Sequence, residues 1–541
     1  MRPEGPPAGP NPTAPAPGAE SAELHCQRGN EASRLGRNAE ALASYERAVA
    51  LKPDFAEALY SRGAALQRLA RFEDAVASYD AVLALLPHHP GTLNNRGAAL
   101  QGLGRIDDAL ASYDLALAAQ PEFVDALRNR AGALLEAERW EDALASYDRA
   151  RALGAESAAI LVGRGNALHE LRRHREALAC YDRALTLAPD DAEALNNRGA
   201  ALQELQRYDD ALASYARAID LRPDYAEAHY NDGVCRLLLG DFDRGWREFE
   251  WRWKTPAVAD YNPPFDRPLW LGGEDIAGRT LLLHPEFGLG DTLQFCRYAP
   301  LAAARGARVV LQVQRPLMAL LSGMAGVDVI ARGDPLPEHD FHCPLLSLPL
   351  AFDTRQDAIP AAVPYVVAAP ALIRKWESRM GPRTRPRVGL VWSGNAKQPN
   401  DRNRSSRLAA LRPLLGLPAQ FVVLQTEMRA EDRAVLAAHP EITHYEGEFA
   451  DFADTAALLS LMDLVITVDT SVAHLAGAMG RPAWIMLAHV PDWRWLLHRD
   501  DCPWYPTARL WRQPKAGEWA SVVARIGREL PAFLRSAAAG A

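Results

Sequence analysis

The sequence predicts an all-α solenoid of helix pairs followed by an α/β half in which two doubly wound parallel sheets face a common cleft. Three observations carry that reading. A small residue returns every 34 residues, as Gly29, Gly63, Gly97, Ala131, Gly165, Gly199 and Gly233. From about residue 278, apolar runs of strand length alternate with helical stretches, the pattern of parallel sheets with crossover helices. Two of those runs, TLLLHPEFGLGDT at 280–292 and LVITVDTSVAH at 464–474, pass from an apolar strand into a turn that opens a helix. Open α/β sheets bind their ligands at such carboxyl ends.

The chain of 541 residues is too long for one core. Its 48% hydrophobic and 24% charged content is ordinary for a soluble globular protein. No apolar run approaches the ~20 residues a membrane helix needs, so no transmembrane segment is expected. A formal net charge of −8 argues against a nucleic-acid partner held by bulk positive charge. Residues 1–21 are rich in Pro and Ala without an apolar core, which reads as a disordered tail rather than a secretory signal. The six cysteines show no C-x-x-C spacing, as expected of free thiols in a reducing cytoplasm. Cys180 stands where sister segments have Ser44, Ser78, Ser112, Ser146 and Ser214, and reads as a small packing residue.

The repeats span residues 22–254. Tyr45, Tyr79, Tyr113, Tyr147, Tyr181, Tyr215 and Phe249 keep the same period, as do Pro53, Pro87, Pro121, Pro189 and Pro223. Each unit reads as two amphipathic helices: the small residue admits close packing, the aromatic fills the gap, and proline ends the pair. Six full copies begin at residues 22, 56, 90, 124, 158 and 192, and a degenerate seventh follows. That last copy, with Gly245, Arg252 and the run GDFDRGWREFEWRWK, is expected to cap the array and dock it on the next domain. The pattern resembles the tetratricopeptide repeat, which implies a concave surface for a protein partner or extended peptide.

Asn95, Asn129, Asn197 and Asn231 share one position of the first helix of their repeats. Each amide offers a donor and an acceptor to a peptide main chain. The row resembles the asparagine ladder of the O-GlcNAc transferases, which implies binding of a protein acceptor. Asparagine tolerated at an exposed helix position is the other reading, and Gln27, Ser61 and Gly163 interrupt the row.

A Pro-rich linker at 255–277 leads to the α/β half. The runs TLLLH, RVVLQVQ and VDVIA belong to a first domain at 278–375. RVGLVWSG, FVVLQT, LVITVD and AWIML belong to a second at 387–541. A last helix at about 517–534 is expected to cross back toward the first domain. Two Rossmann-like domains facing a cleft describe the glycosyltransferase B (GT-B) architecture.

The elbow FGLGD places Gly290 where backbone N–H groups can approach a ligand and Asp291 at the start of a helix, projecting into the cleft. A helix cap is the other reading of Asp291. In the second domain Asp469, Thr470, Ser471 and His474 stand at a helix N-terminus, whose roughly half positive charge suits a diphosphate. Lys397, Arg402 and Arg404, in the loop after RVGLVWSG, can neutralise a leaving diphosphate or simply be solvated. Gln425 is a candidate reader of the nucleotide base, and His284 and Glu286 are candidates to touch donor or acceptor. Trp493, Trp495, Trp504 and Tyr505 suit either sugar stacking or a buried core.

The G-x-G-D elbow followed by a D-T-S-x-x-H helix resembles glycosyltransferase family 9, the lipopolysaccharide heptosyltransferases, over roughly 278–530. The resemblance implies that Asp291 is the catalytic base and that Asp469, Thr470, Ser471 and His474 hold the nucleotide diphosphate. Ser471 stands where that family often has glycine. No metal is expected, since the D-x-D pattern Asp241-Phe242-Asp243 lies in the last repeat. The combined expectation is an inverting cytoplasmic glycosyltransferase that uses a nucleotide-sugar as co-substrate. Its acceptor would be Ser or Thr of a captured protein, with flagellin suggested by bacterial proteins of similar layout. A catalytically silent adaptor, or transfer to a lipid or polysaccharide acceptor, remains open.

Overall fold

The computed structural model describes residues 21–259, 265–396, 398 and 400–539. The tail expected over residues 1–21 therefore lies almost wholly outside the described residues, as do part of the linker and Lys397. The chain divides into two compact units, Met1–Leu205 and Gln206–Ala541.

In the first unit, helices run from Ala22–Arg34 to Ala192–Glu204 as successive antiparallel pairs. The repeating small residue is a steric requirement. A Cβ built on Gly29, Gly63, Gly97 or Gly165 falls 2.5–2.6 Å from the ring of Tyr45, Tyr79, Tyr113 or Tyr181, all of which are buried. The serine slot proves to be a hydrogen-bond acceptor. Arg96 links Asp80 at 2.6 Å to Ser112 at 2.7 Å, and Arg130 links Asp114 to Ser146, both at 2.7 Å. Arg164 does the same with Asp148 and the Sγ of Cys180, at 2.7 and 2.9 Å, so Cys180 accepts a bond as well as filling space.

The second unit opens with the helices Tyr208–Leu221, Ala226–Leu239 and Phe242–Phe249 and a tight turn at Glu250–Lys254. Four strands follow, β1 (Thr280–His284), β2 (Arg308–Val313), β3 (Val327–Ala331) and β4 (Phe341–Pro344), in a parallel sheet of order β3-β2-β1-β4. Five more, β5 (Arg387–Val391), β6 (Gln420–Val423), β7 (Leu464–Val468), β8 (Ala483–Leu487) and β9 (Ala508–Arg512), form a second parallel sheet of order β6-β5-β7-β8-β9. β5, β7 and β8 are buried along their whole length, as strands covered on both faces must be. Both sheets are those of a GT-B, Rossmann-like fold.

The period placed a boundary at residue 254, but the compact unit that holds both sheets starts at Gln206. The cause is aromatic packing. Trp246 and Phe249 of the last repeat meet Trp493 edge-on at 5.2 and 5.9 Å, and Trp493 lies stacked 6.3 Å from Phe295 of the first sheet's domain. The joint is locked by Arg252, fully buried, whose guanidinium grips Glu286 through Nε (2.8 Å) and Nη2 (3.0 Å) and also reaches Glu250 and Ser347.

The C-terminal helix, Trp519–Ala539, does not cross to the first domain. Val522, Ile526, Leu530 and Leu534 bury against Leu411, Leu414 and Trp484 of the second. The helix Pro370–Met380 and the segment 493–505 cross between the domains instead. Trp376 donates to Asp454 at 2.8 Å, and the backbone carbonyl of Trp504 accepts from Arg297 at 2.9 Å.

Candidate active site

The turn after β1 hands the chain to the helix Leu289–Phe295, and Asp469 and Thr470 after β7 lead into Ser471–Ala478. These two helices pack together at their starts. A Cβ on Gly290 would lie 2.8 Å from Cδ2 of His474 and 3.5 Å from Cα of Ser471, so only glycine allows this approach. Gly290 thus joins the two domains at the carboxyl edges of β1 and β7.

Asp291 is both a cap and a cleft residue. Its Oδ2 accepts the Gly288 N–H at 2.8 Å, and its Oδ1 pairs with Nη2 of Arg494 from the opposite domain. Arg494, 8% exposed, also donates from Nε to Gln294 at 2.8 Å and from Nη1 to Asp492 at 2.9 Å. Burial pushes the Asp291 carboxyl above its usual range while Arg494 pulls it back. Burial and the neighbouring Asp492 carboxylate push Asp469 up to about 6.

His474 is buried and held well below the usual imidazole range by burial and by Arg494, Arg297 and Arg404, so it is neutral near pH 7. Its Nδ1 shares a hydrogen bond with the Tyr505 hydroxyl at 2.9 Å, its ring stacks on Trp495, and its Nε2 stands 4.0 Å from Asp469. Thr470 is the N-cap residue and Ser471 the first residue of the helix. Arg404 lies 4.0 Å from Asp401, its Nε has no acceptor among the described residues, and its charge reaches Asp291, Asp469 and His474. Lys397 lies outside the described residues.

Three expectations change on seeing the side chains. Gln425 is buried, and its amide is fully used: it accepts the N–H groups of Trp392 and Ser393, both at 3.1 Å, and donates to Ser393 and to the Glu427 carbonyl. An amide with all its bonding positions filled braces the loop after β5 and has none left for a base. Glu286 is consumed by Arg252 and the Leu346 N–H, and His284 faces His342 at 3.2 Å, so both are structural. Trp493, Trp495, Trp504 and Tyr505 are core residues.

Arg494, Asp492 and Gln294 are the residues that sequence reasoning missed. Trp493 and Trp495 lie in the run PDWRW, whose Asp-x-Arg spacing makes a local pair. Nothing along the chain connects Arg494 to Asp291, 203 positions earlier.

In the repeats, the asparagine row is half-buried. Asn95 donates to Tyr60 at 2.8 Å, Asn129 to Asn94 at 3.0 Å and Asn197 to Asn166 at 3.0 Å, each reaching back to an earlier repeat. Asn231 follows Tyr230, whose hydroxyl is shifted upward by burial and lies within the fields of Asp492, Arg494 and Asp291.

Fold and site together define a helical-repeat protein carrying a domain of GT-B, Rossmann-like architecture. Tetratricopeptide repeat families match residues 29–69, 94–158 and 156–224, and "Glycosyltransferase family 9 (heptosyltransferase)" matches 429–486. The chain therefore joins N-terminal tetratricopeptide repeats to a C-terminal heptosyltransferase-like domain, homologous to a family of glycosyltransferases. Protein FlbA of Caulobacter vibrioides is 28% identical over 328 residues, covering 56% of this chain and 54% of that protein. The chain thus spans about half the length of this curated relative. Among solved structures, a tetratricopeptide repeat protein of Parabacteroides merdae aligns at 18% identity and TM-score 0.38, over 43% of this chain and 93% of its own. A thermophilic repeat protein of Thermus thermophilus aligns at 24% and 0.29, over 34% and 99%. No helix among the described residues is long and apolar enough to cross a membrane.

Proposed function

We propose that the C-terminal half moves a glycosyl group from a nucleotide-sugar to an acceptor hydroxyl by a single inverting displacement. The meeting of the two helix starts at Gly290, with Asp291, Asp469, Arg404 and Arg494 gathered around it, is the observation that carries this reading. The acceptor oxygen attacks the anomeric carbon as Asp291 takes its proton, and the bond to the diphosphate breaks with its electron pair leaving on the phosphate. Arg404, Arg494 and the N-terminus of Ser471–Ala478 offset the charge that develops there, without a metal ion. A cytoplasmic setting belongs to the same reading.

The test is calorimetric titration of the full chain with UDP, GDP, ADP and CMP. Selective binding of one nucleotide supports a donor site. Failure of all four to bind, with acceptor present as well, favours the silent adaptor.

The heptosyltransferase match favours a saccharide or lipid-linked acceptor, with the repeats recruiting a partner protein. The second reading, transfer to Ser or Thr of a protein such as flagellin, draws support from Tyr230 of the last repeat, which lies within the fields of the site's charges. If the row holds that protein, replacing Asn95, Asn129 and Asn197 together by alanine is expected to weaken its capture roughly tenfold or more, at ~0.5–1.5 kcal/mol per lost hydrogen bond. Nucleotide affinity should not change. Capture measured by surface plasmon resonance that stays at the parent value would remove the row from acceptor binding.

A further inference from the structure

We infer that Arg494 is a shared counter-ion: it holds Asp291 while no donor is bound and passes to the diphosphate of an arriving nucleotide-sugar, which frees Asp291 to act as base. The inference rests on the glycosyltransferase reading and adds a residue and an order of events to it.

Several observations converge on Arg494. Its guanidinium is committed on every side, to Asp291, Asp492 and Gln294. Oδ1 of Asp291 is taken by Arg494 and Oδ2 by the Gly288 N–H, and the arginine stabilises the ionised form, so the carboxylate is less available to an acceptor proton than it would be with Arg494 gone. The resting arrangement therefore conflicts with the role assigned to Asp291 unless the arginine leaves. The surroundings also hold unspent donors. Gln294, fully buried, receives Arg494 on Oε1 while its Nε2 has no acceptor among the described residues. The Nε of Arg404 is in the same condition. An N–H without an acceptor on the amide that holds Arg494, and another on an arginine whose charge reaches Asp291 and Asp469, suit the acceptor oxygens that a diphosphate supplies.

The chain just beyond Arg494 is strained and borders open space. Leu496, two residues on, holds φ 50° and ψ −170°, and His498 holds φ 53°, a backbone region that side chains with a Cβ rarely adopt. Next to them lies a cavity of about 410 Å³ lined by Leu239, Gln356, Leu497 and Arg499 as well as Leu496 and His498. Trp493 and Trp495, on either side of Arg494, are packed into the core, so the transfer is a swing of the Arg494 side chain rather than a movement of the turn.

A double-mutant cycle on the full chain tests the exchange, with UDP, GDP and ADP as calorimetric probes. Asp291→Asn keeps an acceptor for the Gly288 N–H but no longer competes for Arg494. It is expected to tighten the preferred nucleotide by about tenfold, within the usual range of coupling between two sites. In an Arg494→Gln background the tightening should vanish. Binding by Asp291→Asn when the parent chain shows none, lost again in the Arg494→Gln background, gives the same support. Affinity unchanged or weakened by Asp291→Asn overturns the inference while leaving the glycosyltransferase reading intact. Equal tightening in both backgrounds also overturns it, since removal of a nearby negative charge then explains the gain. No nucleotide bound by the parent or any variant overturns both.

Discussion

Replacing Asp291 by asparagine is expected to slow glycosyl transfer roughly 10²- to 10⁴-fold, the usual contribution of a positioned general base. Asparagine retains an oxygen for the Gly288 N–H, so the start of the helix Leu289–Phe295 is kept and the loss reports chemistry. The pH profile of kcat/KM carries an independent signature. The base works ionised, so the rate rises with pH through the Asp291 pKa. Burial outweighs Arg494 in setting that pKa, which places the acid limb above the ordinary aspartate value of about 3.9. Initial rates of parent and variant, in buffer with and without EDTA, measure all of this. Full activity in the asparagine variant would remove Asp291 from the mechanism, and loss of parent activity in chelator would replace the arginines with a metal ion as partner of the leaving group.

The second large effect lies away from the chemistry. Replacing Glu286 by alanine is expected to cost roughly 3–5 kcal/mol, because it leaves the Arg252 guanidinium buried without its main partner. Neither side chain reaches solvent. The pair is bidentate, and Glu286 also receives the Leu346 N–H at 3.0 Å, so the arginine and the backbone both lose an acceptor. Replacing both together, Arg252→Met with Glu286→Leu, is expected to restore part of that loss, since the fully buried pair goes together and only Glu250, which keeps its bond from Ser347, loses its arginine. Urea unfolding followed by tryptophan fluorescence reads the joint directly, as Trp246 and Trp493 lie at it. A loss below about 1 kcal/mol for Glu286→Ala would mean that water or a shifted side chain replaces the missing carboxylate, and that the clamp is not what ties the last repeat to β1.

Much of the architecture was legible because it rests on local regularities. The helix pairs follow from a period that places glycine against tyrosine, a contact made within a single repeat. Seven of the nine strands among the described residues announce themselves as apolar runs. β4 and β9 do not: FHCP is four residues long, and ARLWR carries an arginine near one end and another at the other. The elbow at Gly290 and the helix at Ser471 were visible for the same reason, since a strand that ends in glycine or aspartate before a helix is a pattern of adjacent residues.

The sequence by itself determined the repeats, the two parallel sheets and the polar turns at the ends of β1 and β7, all of which depend on neighbours along the chain. Only the tertiary structure decided what those turns meet. It placed Arg494 on Asp291, closed Gln425 and Glu286 into internal bonds, and packed the C-terminal helix on its own domain. A charged or amide side chain reads the same in sequence whether it faces solvent, a ligand or a buried partner. Which of these it finds depends on the approach of segments distant in the chain, and that approach is set by packing rather than by local pattern.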